Sequence, residues 1–424
     1  MRSSLISAWC QAKWGSMSTS HGAPNCGWCQ AQYNIAMADD LLRYRREFPI
    51  LDCTTYLISN SLGAMPKGVY DAMHGYAEIW ASRGVRAWEE RWWMLAAEVG
   101  DQIGAIMHAA PGSVSTHQNV TTCQAVVASC FDFSGKRNKV VYSDMNFPSV
   151  MYFWEAQRTR GARVHMVETS DGITVPLERL LAAIDEETLL VPISHVIFRS
   201  AYINDAKAIV EQAHRVGALV VLDTFQSLGT VPVDVQELSV DFACGGVLKW
   251  LCGGPGVGYL YVRPDLGSRL QPTFTGWMAH NSPFEFEVGA IRYTDPPYRF
   301  MNGTPHVPAL EACRPGLKII TEVGVDKIRE KSKWQTSRLI GLADQYGWRV
   351  NTPRDPEQRG GTVSIDMPDS QDVCRELLRR DVLVDWRPKA GVRMSPHFYN
   401  TDQELETAIG AVEEILKNRQ LAAR

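Results

Sequence analysis

Long apolar stretches are missing from this chain of 424 residues. None has the roughly 20 consecutive apolar residues that a helix needs to cross a bilayer, so we expect no membrane partner. An excess of one charge is missing too, because 43 Lys and Arg stand against 47 Asp and Glu, for a formal net charge of −4. Because positive and negative charges nearly balance, there is no electrostatic reason to expect a nucleic-acid partner.

Cysteine pairs are scarce as well, although the chain has ten cysteines. Cys26 and Cys29 form a lone CxxC, and with no second pair at ligand spacing we expect no metal site. Several other cysteines lie in apolar surroundings, where a free thiol behaves as a small hydrophobic group. Residues 1–36 also lack the basic start and apolar stretch of a secretion signal, so we expect a reducing, cytoplasmic location.

The composition, 45% hydrophobic and 21% charged, is typical of a globular protein with two or three domains. Residues 1–36 show no periodicity and are predicted to be a poorly ordered extension, after which Met37 begins a helix signal. We expect residues 37–60 to form an N-terminal arm associated with a small domain, residues 61–305 a large domain, and residues 306–424 the small C-terminal domain.

Strand and helix patterns alternate between residues 60 and 260. The predicted strands are 139–143, 163–167, 189–194 and 218–223; the predicted helices are 66–82, 91–108, 147–159, 177–183 and 206–216. Such alternation predicts an α/β fold with a mostly parallel sheet covered by helices on both faces. Ligands bind such sheets at the carboxyl ends of the strands.

The pattern changes after about residue 305. A long helix over 308–346 is followed by a strand at 361–366, a helix at 370–380, a strand at 382–385 and a final helix from Asp402. This order predicts a smaller α+β domain.

Two residues give the clearest indication of a catalytic or cofactor-binding site. Asp223 ends the apolar strand 218–222, and Lys249 follows 26 residues later, just before the glycine-rich run 253–258. Taken singly, Asp223 also suits a helix N-cap and Lys249 a surface position. Together they suit pyridoxal phosphate (PLP), which needs a lysine amine for its aldehyde and a carboxylate for its pyridinium nitrogen.

Weaker signals surround this pair. Thr121 and Thr122 stand at a predicted helix start, where hydroxyls and backbone N–H groups bind phosphate, although simple capping is as common. Phe147 is a candidate to stack on a pyridine ring, and Arg393 to bind a carboxylate with two hydrogen bonds. His195 follows a strand and is expected to be a packed polar residue.

Three segments carry a resemblance to a known family: residues 56–63, residues 223–234 (DTFQSLGTVPVD) and residues 246–249 (GVLK). They resemble the class V aminotransferase family of fold-type I PLP-dependent enzymes, and within it the kynureninase-like branch, from about Tyr56 to the C-terminus. The resemblance implies a large domain with a mostly parallel, seven-stranded sheet and a smaller α+β C-terminal domain. It also implies a homodimer with its sites at the interface.

The resemblance implies roles for individual residues. Lys249 would form the aldimine with PLP, and Asp223 would pair with the ring nitrogen. Further cofactor contacts would come from Thr121, Thr122, Phe147, Ser194 and Gln226, and from Trp277 and Thr304 of the neighbouring subunit. The implied substrate-binding residues are Arg393, Asn60 and Ser61.

The implied activity is PLP chemistry at the α-carbon of an amino acid, through a quinonoid intermediate, with hydrolytic Cβ–Cγ cleavage of a kynurenine-type substrate as the most specific expectation. Three departures weaken that specificity, since kynureninases usually carry Tyr, Asp and His where this chain has Leu248, Val150 and Gln226. Transamination, β-elimination or epimerisation, and PLP binding without turnover stay open. Desulfurase chemistry is disfavoured because no reactive-cysteine loop motif precedes Cys374.

Overall fold

The computed structural model describes residues 40–422 of the chain. The predictions for residues 1–36, for Cys26 and Cys29, and for a helix start at Met37 lie outside the described residues. Within the described part, no helix combines the length and apolar character needed to cross a membrane.

The strands of the described chain are β1 (Thr55–Tyr56), β2 (Val114–His117), β3 (Lys139–Ser143), β4 (Arg163–Val167), β5 (Thr188–Ser194), β6 (Leu219–Asp223), β7 (Phe242–Gly246), β8 (Gly258–Val262), β9 (Arg349–Val350), β10 (Val363–Asp366), β11 (Val382–Leu383), β12 (Asp385–Arg387) and β13 (Gly391–Met394). The α-helices are α1 (Gly68–Arg83), α2 (Trp93–Ile106), α3 (Val120–Ser129), α4 (Pro148–Ala156), α5 (Leu177–Ala183), α6 (Ala206–Arg215), α7 (Pro264–Gly267), α8 (Val307–Val323), α9 (Val325–Gln345), α10 (Ser370–Arg379) and α11 (Asp402–Ala422).

Seven strands form the large sheet, in the order β2-β8-β7-β6-β5-β3-β4. Strands β3 to β7 run parallel, whereas β8 is antiparallel to both of its neighbours. The prediction of a large, mostly parallel, seven-stranded sheet is therefore confirmed. The predicted strands did not include β2, which is short and polar, β7, which ends in two glycines, or β8, which follows the glycine-rich run.

The middle of this sheet is buried on both faces. Strands β7 and β8 are buried at every position, and β6 is buried from its second residue onward. Helices pack on both sides, and the apolar run Val220–Leu222 is completely enclosed. Parallel strands covered in this way present their polar residues where the strands end.

A second, smaller sheet lies in the C-terminal part of the chain. It has four antiparallel strands in the order β12-β13-β10-β9, packed with α9, α10 and α11. Strand β1 pairs in parallel with β11 instead, so the segment before residue 60 joins this part of the protein. Together with the large sheet, this arrangement is the fold-type I architecture that the sequence predicted.

The predicted single helix over 308–346 is wrong. It consists of α8 and α9, separated at Gly324, whose φ of +84° is a left-handed conformation that favours glycine. Helix α8 packs on α1 and α2, and its Leu310, Leu317 and Ile320 belong to the core of the large sheet. We therefore propose that the large domain extends from residue 61 past the predicted limit of 305 to Gly324.

Two glycines allow the close contacts that place Lys249 beside the carboxyl end of β7. Gly63 donates its N–H to Leu248 O at 2.8 Å, and a Cβ at this position would lie 2.1 Å from Lys249 O. A Cβ on Gly246, the last residue of β7, would lie 2.5 Å from the Phe225 ring. Side chains at either position would push the segment around Lys249 away from its neighbours.

Candidate active site

The candidate site is a cavity of about 620 Å³ at the carboxyl ends of β5, β6 and β7. Ser194 and Asp223 are the last residues of β5 and β6, and the register places them side by side. The cavity is lined by Gln118, Asn119, Val120, Thr121, Thr122, Ala125, Phe147, Ser149, Ser194, Val196, Phe198, Asp223, Phe225, Gln226, Gly246, Leu248, Lys249, Gly256, Val257 and Phe274. Seven residues that the sequence predicted to bind the cofactor are thus brought together here.

Lys249 lies three residues beyond β7, with its amine between two aromatic rings. The Nζ atom is 4.2 Å from the centre of the Phe225 ring and 5.5 Å from that of Phe147. Burial lowers the pKa of this amine to about 8, although the nearby charge of Asp223 acts in the opposite direction. A lysine with so low a pKa is partly neutral, and therefore nucleophilic, near physiological pH.

Asp223 is buried, with 5% of its surface exposed. Burial raises the pKa of its carboxyl group to about 6, against the effect of the Phe225 N–H, which donates to Oδ1 at 2.9 Å. This hydrogen bond closes a local turn and is not the helix N-cap considered from sequence, because residues 225–230 form turns; it uses one carboxylate oxygen. At neutral pH the group is ionised and can pair with a protonated ring nitrogen.

The start of helix α3 forms another wall of the cavity. Asn119 caps the helix by accepting the Thr122 N–H at 3.0 Å. Within the described chain, the N–H groups of Val120 and Thr121 have no such partner, and an anion suits this position. A Cβ on Gly258 would lie 2.8 Å from the carbonyl carbon of Asn119, so the glycine allows β8 to pass close to the helix start.

These groups fit PLP. The amine of Lys249 matches its aldehyde, the carboxylate of Asp223 its ring nitrogen, and the start of α3 its phosphate. Phe147 offers a partly exposed ring, with 39% of its surface accessible, beside Lys249.

Gln226 lines the cavity, but its amide already has protein partners. Its Nε2 donates to Asn60 O at 3.0 Å, and its Oε1 accepts from Trp250 Nε1 at 3.1 Å. The amide of Asn60 itself is buried, and neither its nitrogen nor its oxygen has a partner within the described chain. Buried amide groups normally have hydrogen-bond partners, so the unpaired Asn60 amide marks a candidate position for a ligand contact.

Arg393, Asn60 and Ser61 do not line the cavity, although the sequence grouped them as substrate contacts. Arg393 is 2% exposed, and its guanidinium pairs with Asp385. It connects to the cavity through Phe198, whose backbone oxygen accepts from Arg393 Nη1 at 2.6 Å and whose side chain lines the site.

Trp277 and Thr304 also lie away from the cavity of their own chain. Trp277 is partly exposed and packs edge-on against Trp93, with ring centres 5.4 Å apart. Thr304 is exposed. Their assignment to a neighbouring subunit's site stays a prediction.

Sequence reasoning missed several residues around the amine. Phe225 gave a usable signal, since it lies two residues after Asp223 in the same motif, whereas Phe198 and Phe274 come from unrelated segments. His195 behaves as expected from sequence: it is buried, and burial lowers its pKa to about 4, so it stays neutral at physiological pH.

Comparison with known proteins decides the family, because the Aminotransferase class-V profile matches residues 55–407. The chain belongs to the class V aminotransferase family. It is 32% identical over 374 residues to an uncharacterized aminotransferase, YcbU, of Bacillus subtilis, covering 87% of this chain and 96% of that protein. It is 28% identical over 398 residues to a kynureninase of Bacillus thuringiensis, covering 90% and 93%.

Solved structures agree with the class V fold. An apo cysteine desulfurase from Thermococcus onnurineus has a TM-score of 0.79 at 23% identity, covering 89% of this chain and 98% of that one. A C-DES mutant with glycine covalently linked to its PLP cofactor also has a TM-score of 0.79, at 18% identity, covering 87% and 98%. Family membership makes this chain a PLP-dependent enzyme, and PLP is the group that the cavity fits.

The lowered pKa of Lys249 predicts how covalent PLP uptake varies with pH. Below pH 8 the amine is mainly protonated, and only its neutral fraction attacks the aldehyde, so the rate should rise as pH passes through about 8, and not near the ordinary lysine value of 10.5. Stopped-flow absorbance of cofactor-free protein mixed with PLP would measure this rate. Free N-acetyl-lysine, treated identically, would correct for ionisation of PLP itself, and a midpoint equal to that of the free amine would contradict the assignment.

Proposed function

We propose that this class V enzyme acts at the α-carbon of an amino acid, with Lys249 as the residue that binds PLP and moves the Cα proton. The supporting observation is the position of the Lys249 amine, between Phe225 and Phe147 and within the electrostatic influence of buried Asp223.

Each neighbouring residue then has a defined task. When bound, PLP supplies an aldehyde for amino groups and a ring that accepts the electrons released when a bond to Cα breaks. Asp223 would keep a proton on the ring nitrogen, and Thr121 and Thr122 at the start of α3 would hold the phosphate. The Lys249 amine would serve as the general base at the Cα proton, and burial lowers its pKa to about 8, which suits that role near neutral pH.

The wall of the cavity favours a substrate with a large apolar side chain. Phe198, Phe274, Val196 and Leu248 line the same cavity as the cofactor-binding groups and give it apolar walls. We therefore propose a kynurenine-type substrate and hydrolytic cleavage. Water adds to the γ-carbonyl, the Cβ–Cγ bond breaks, and the released electron pair takes up a proton at Cβ. The products are alanine and an aromatic carboxylate.

Leu248 favours transamination as the second candidate. This residue precedes Lys249 in the sequence and lines the cavity. It has no hydroxyl group to donate a proton during Cβ–Cγ cleavage. Transamination needs proton transfers that Lys249 alone can perform. Elimination and epimerisation begin with the same removal of the Cα proton.

The described residues offer no suitable nucleophile for cysteine desulfuration. Within residues 40–422, no cysteine lines the cavity. Cys374 lies in α10, where burial raises the pKa of its thiol to about 11, so it is not a thiolate at neutral pH.

Product analysis separates these reactions. Incubation of the PLP-loaded protein with L-kynurenine should release anthranilate and alanine in equal amounts, and Lys249→Ala, which lacks the reactive amine, should release neither. Formation of a 2-oxo acid with conversion of PLP to its amine form would instead support transamination. No spectral change with any of the common amino acids would contradict catalysis and leave PLP binding alone.

We also propose a homodimer in which Trp277 and Thr304 of one subunit complete the site of the other. Both lie outside the cavity of their own chain. The exposed aromatic surface of Trp277 and Phe284, which packs beside Trp93, supplies apolar area for such a contact.

Subunit mixing tests this arrangement. Lys249→Ala chains lack the amine but keep Trp277, whereas Trp277→Ala chains keep the amine. If Trp277 acts across the interface, refolded mixtures should regain about one complete site in four, because half of the dimers are mixed. Activity that does not exceed the sum of the separate variants would contradict the shared site, as would a monomer in light scattering.

A further inference from the structure

Four side chains form a cluster beside the cavity: Arg393, Asp385, Arg387 and Ser61. Asp385 Oδ1 accepts from Arg393 Nε at 2.7 Å, and Asp385 Oδ2 accepts from Arg393 Nη2 at 2.5 Å. Ser61 Oγ donates to the same Oδ2 at 2.5 Å, and Arg387 Nη2 lies 3.2 Å from it. Asp385 therefore contacts every other member of the cluster.

Asp385 contacts one edge of the planar Arg393 guanidinium, the edge formed by Nε and Nη2. A guanidinium has five N–H groups in one plane. Asp385 accepts two of them, from Nε and Nη2, and Phe198 O accepts one from Nη1. The second Nη2–H has only a 3.3 Å contact with Ser61 Oγ. One Nη1–H is thus left without a partner within the described chain, and the Nη2–H on Ser61 Oγ is the other that a carboxylate could take over while the Asp385 contacts stay in place.

The charges of the cluster also favour one further anion. Two guanidinium groups stand against a single carboxylate, so the cluster carries one unbalanced positive charge. The cluster is close enough to the reactive amine that Arg393, Asp385 and Arg387 all influence the pKa of Lys249. A substrate held at that amine and bearing one carboxylate would neutralise the cluster.

We propose that Asp385 is a positioning residue for substrate binding, which holds the Arg393 guanidinium from the side so that its remaining N–H groups receive the substrate carboxylate. This inference rests on the proposed function, in which Arg393 binds that carboxylate. The opposite role would make Asp385 a competitor that occupies Arg393 until the substrate displaces it.

Two alkoxyamine probes separate these roles without knowledge of the substrate. Aminooxyacetate and O-methylhydroxylamine both convert the PLP aldehyde into an oxime and release the Lys249 amine, but only the first has a carboxylate. The loss of cofactor absorbance gives a second-order rate constant for each probe. Their ratio measures carboxylate recognition and is insensitive to general damage, which would slow both probes alike.

In Asp385→Asn, an amide nitrogen replaces one acceptor oxygen and the fixed orientation of the guanidinium is lost. The ratio should fall about tenfold, as in Arg393→Ala, while the rate with O-methylhydroxylamine stays within about twofold. Asp366→Asn is the matched control, because it makes the same change at an exposed position on strand β10 of the same sheet, and its ratio should equal that of the wild type.

An unchanged or increased ratio in Asp385→Asn, with a reduced ratio in Arg393→Ala, would overturn the positioning role alone. A wild-type ratio near one would instead show that Arg393 binds no carboxylate, and the proposed substrate contact would fail with it. Should Asp385→Asn not fold, Ser61→Ala removes the hydroxyl that joins Asp385 to Arg393. Its ratio should fall about threefold, and an unchanged ratio would count against the cluster.

Discussion

The candidate site depends on burying an amine, that of Lys249, and a carboxylate, that of Asp223, together at the carboxyl ends of the strands of the large sheet. Burial disfavours the charged forms of both Lys249 and Asp223, raising the pKa of the acid and lowering that of the amine. Each partly offsets this cost for the other through its charge. The two shifts leave an ionised acid and a partly neutral amine near pH 7, which is the combination that PLP chemistry needs.

Close backbone contacts hold these groups in place. Gly63 brings the N-terminal segment against the carbonyl of Lys249, and Gly258 allows β8 to pass the start of α3. Neither contact tolerates a Cβ atom. The chain before residue 60 also pairs with the C-terminal part through β1 and β11, so Asn60 and Ser61 sit where the large sheet meets the small one. The cavity is thus bordered by segments that are distant in sequence.

The sequence predicted the parts that local pattern determines. Apolar strands alternating with helices indicated the parallel sheet, and the pair Asp223 and Lys249 indicated the cofactor. The break at Gly324 was missed because helical periodicity continues on both sides of it. Asp385 was missed for another reason: its contact with Arg393 is made between neighbouring antiparallel strands, and residue spacing alone does not reveal that register.

Borohydride reduction of the PLP-loaded protein, followed by peptide mass mapping, tests the central claim most directly. Reduction makes the bond between the cofactor and its lysine permanent. The account predicts that one peptide, containing Lys249, carries the added pyridoxyl phosphate and that Lys249→Ala carries none. Modification of a different lysine, or no modification of protein that has taken up PLP, would contradict the account.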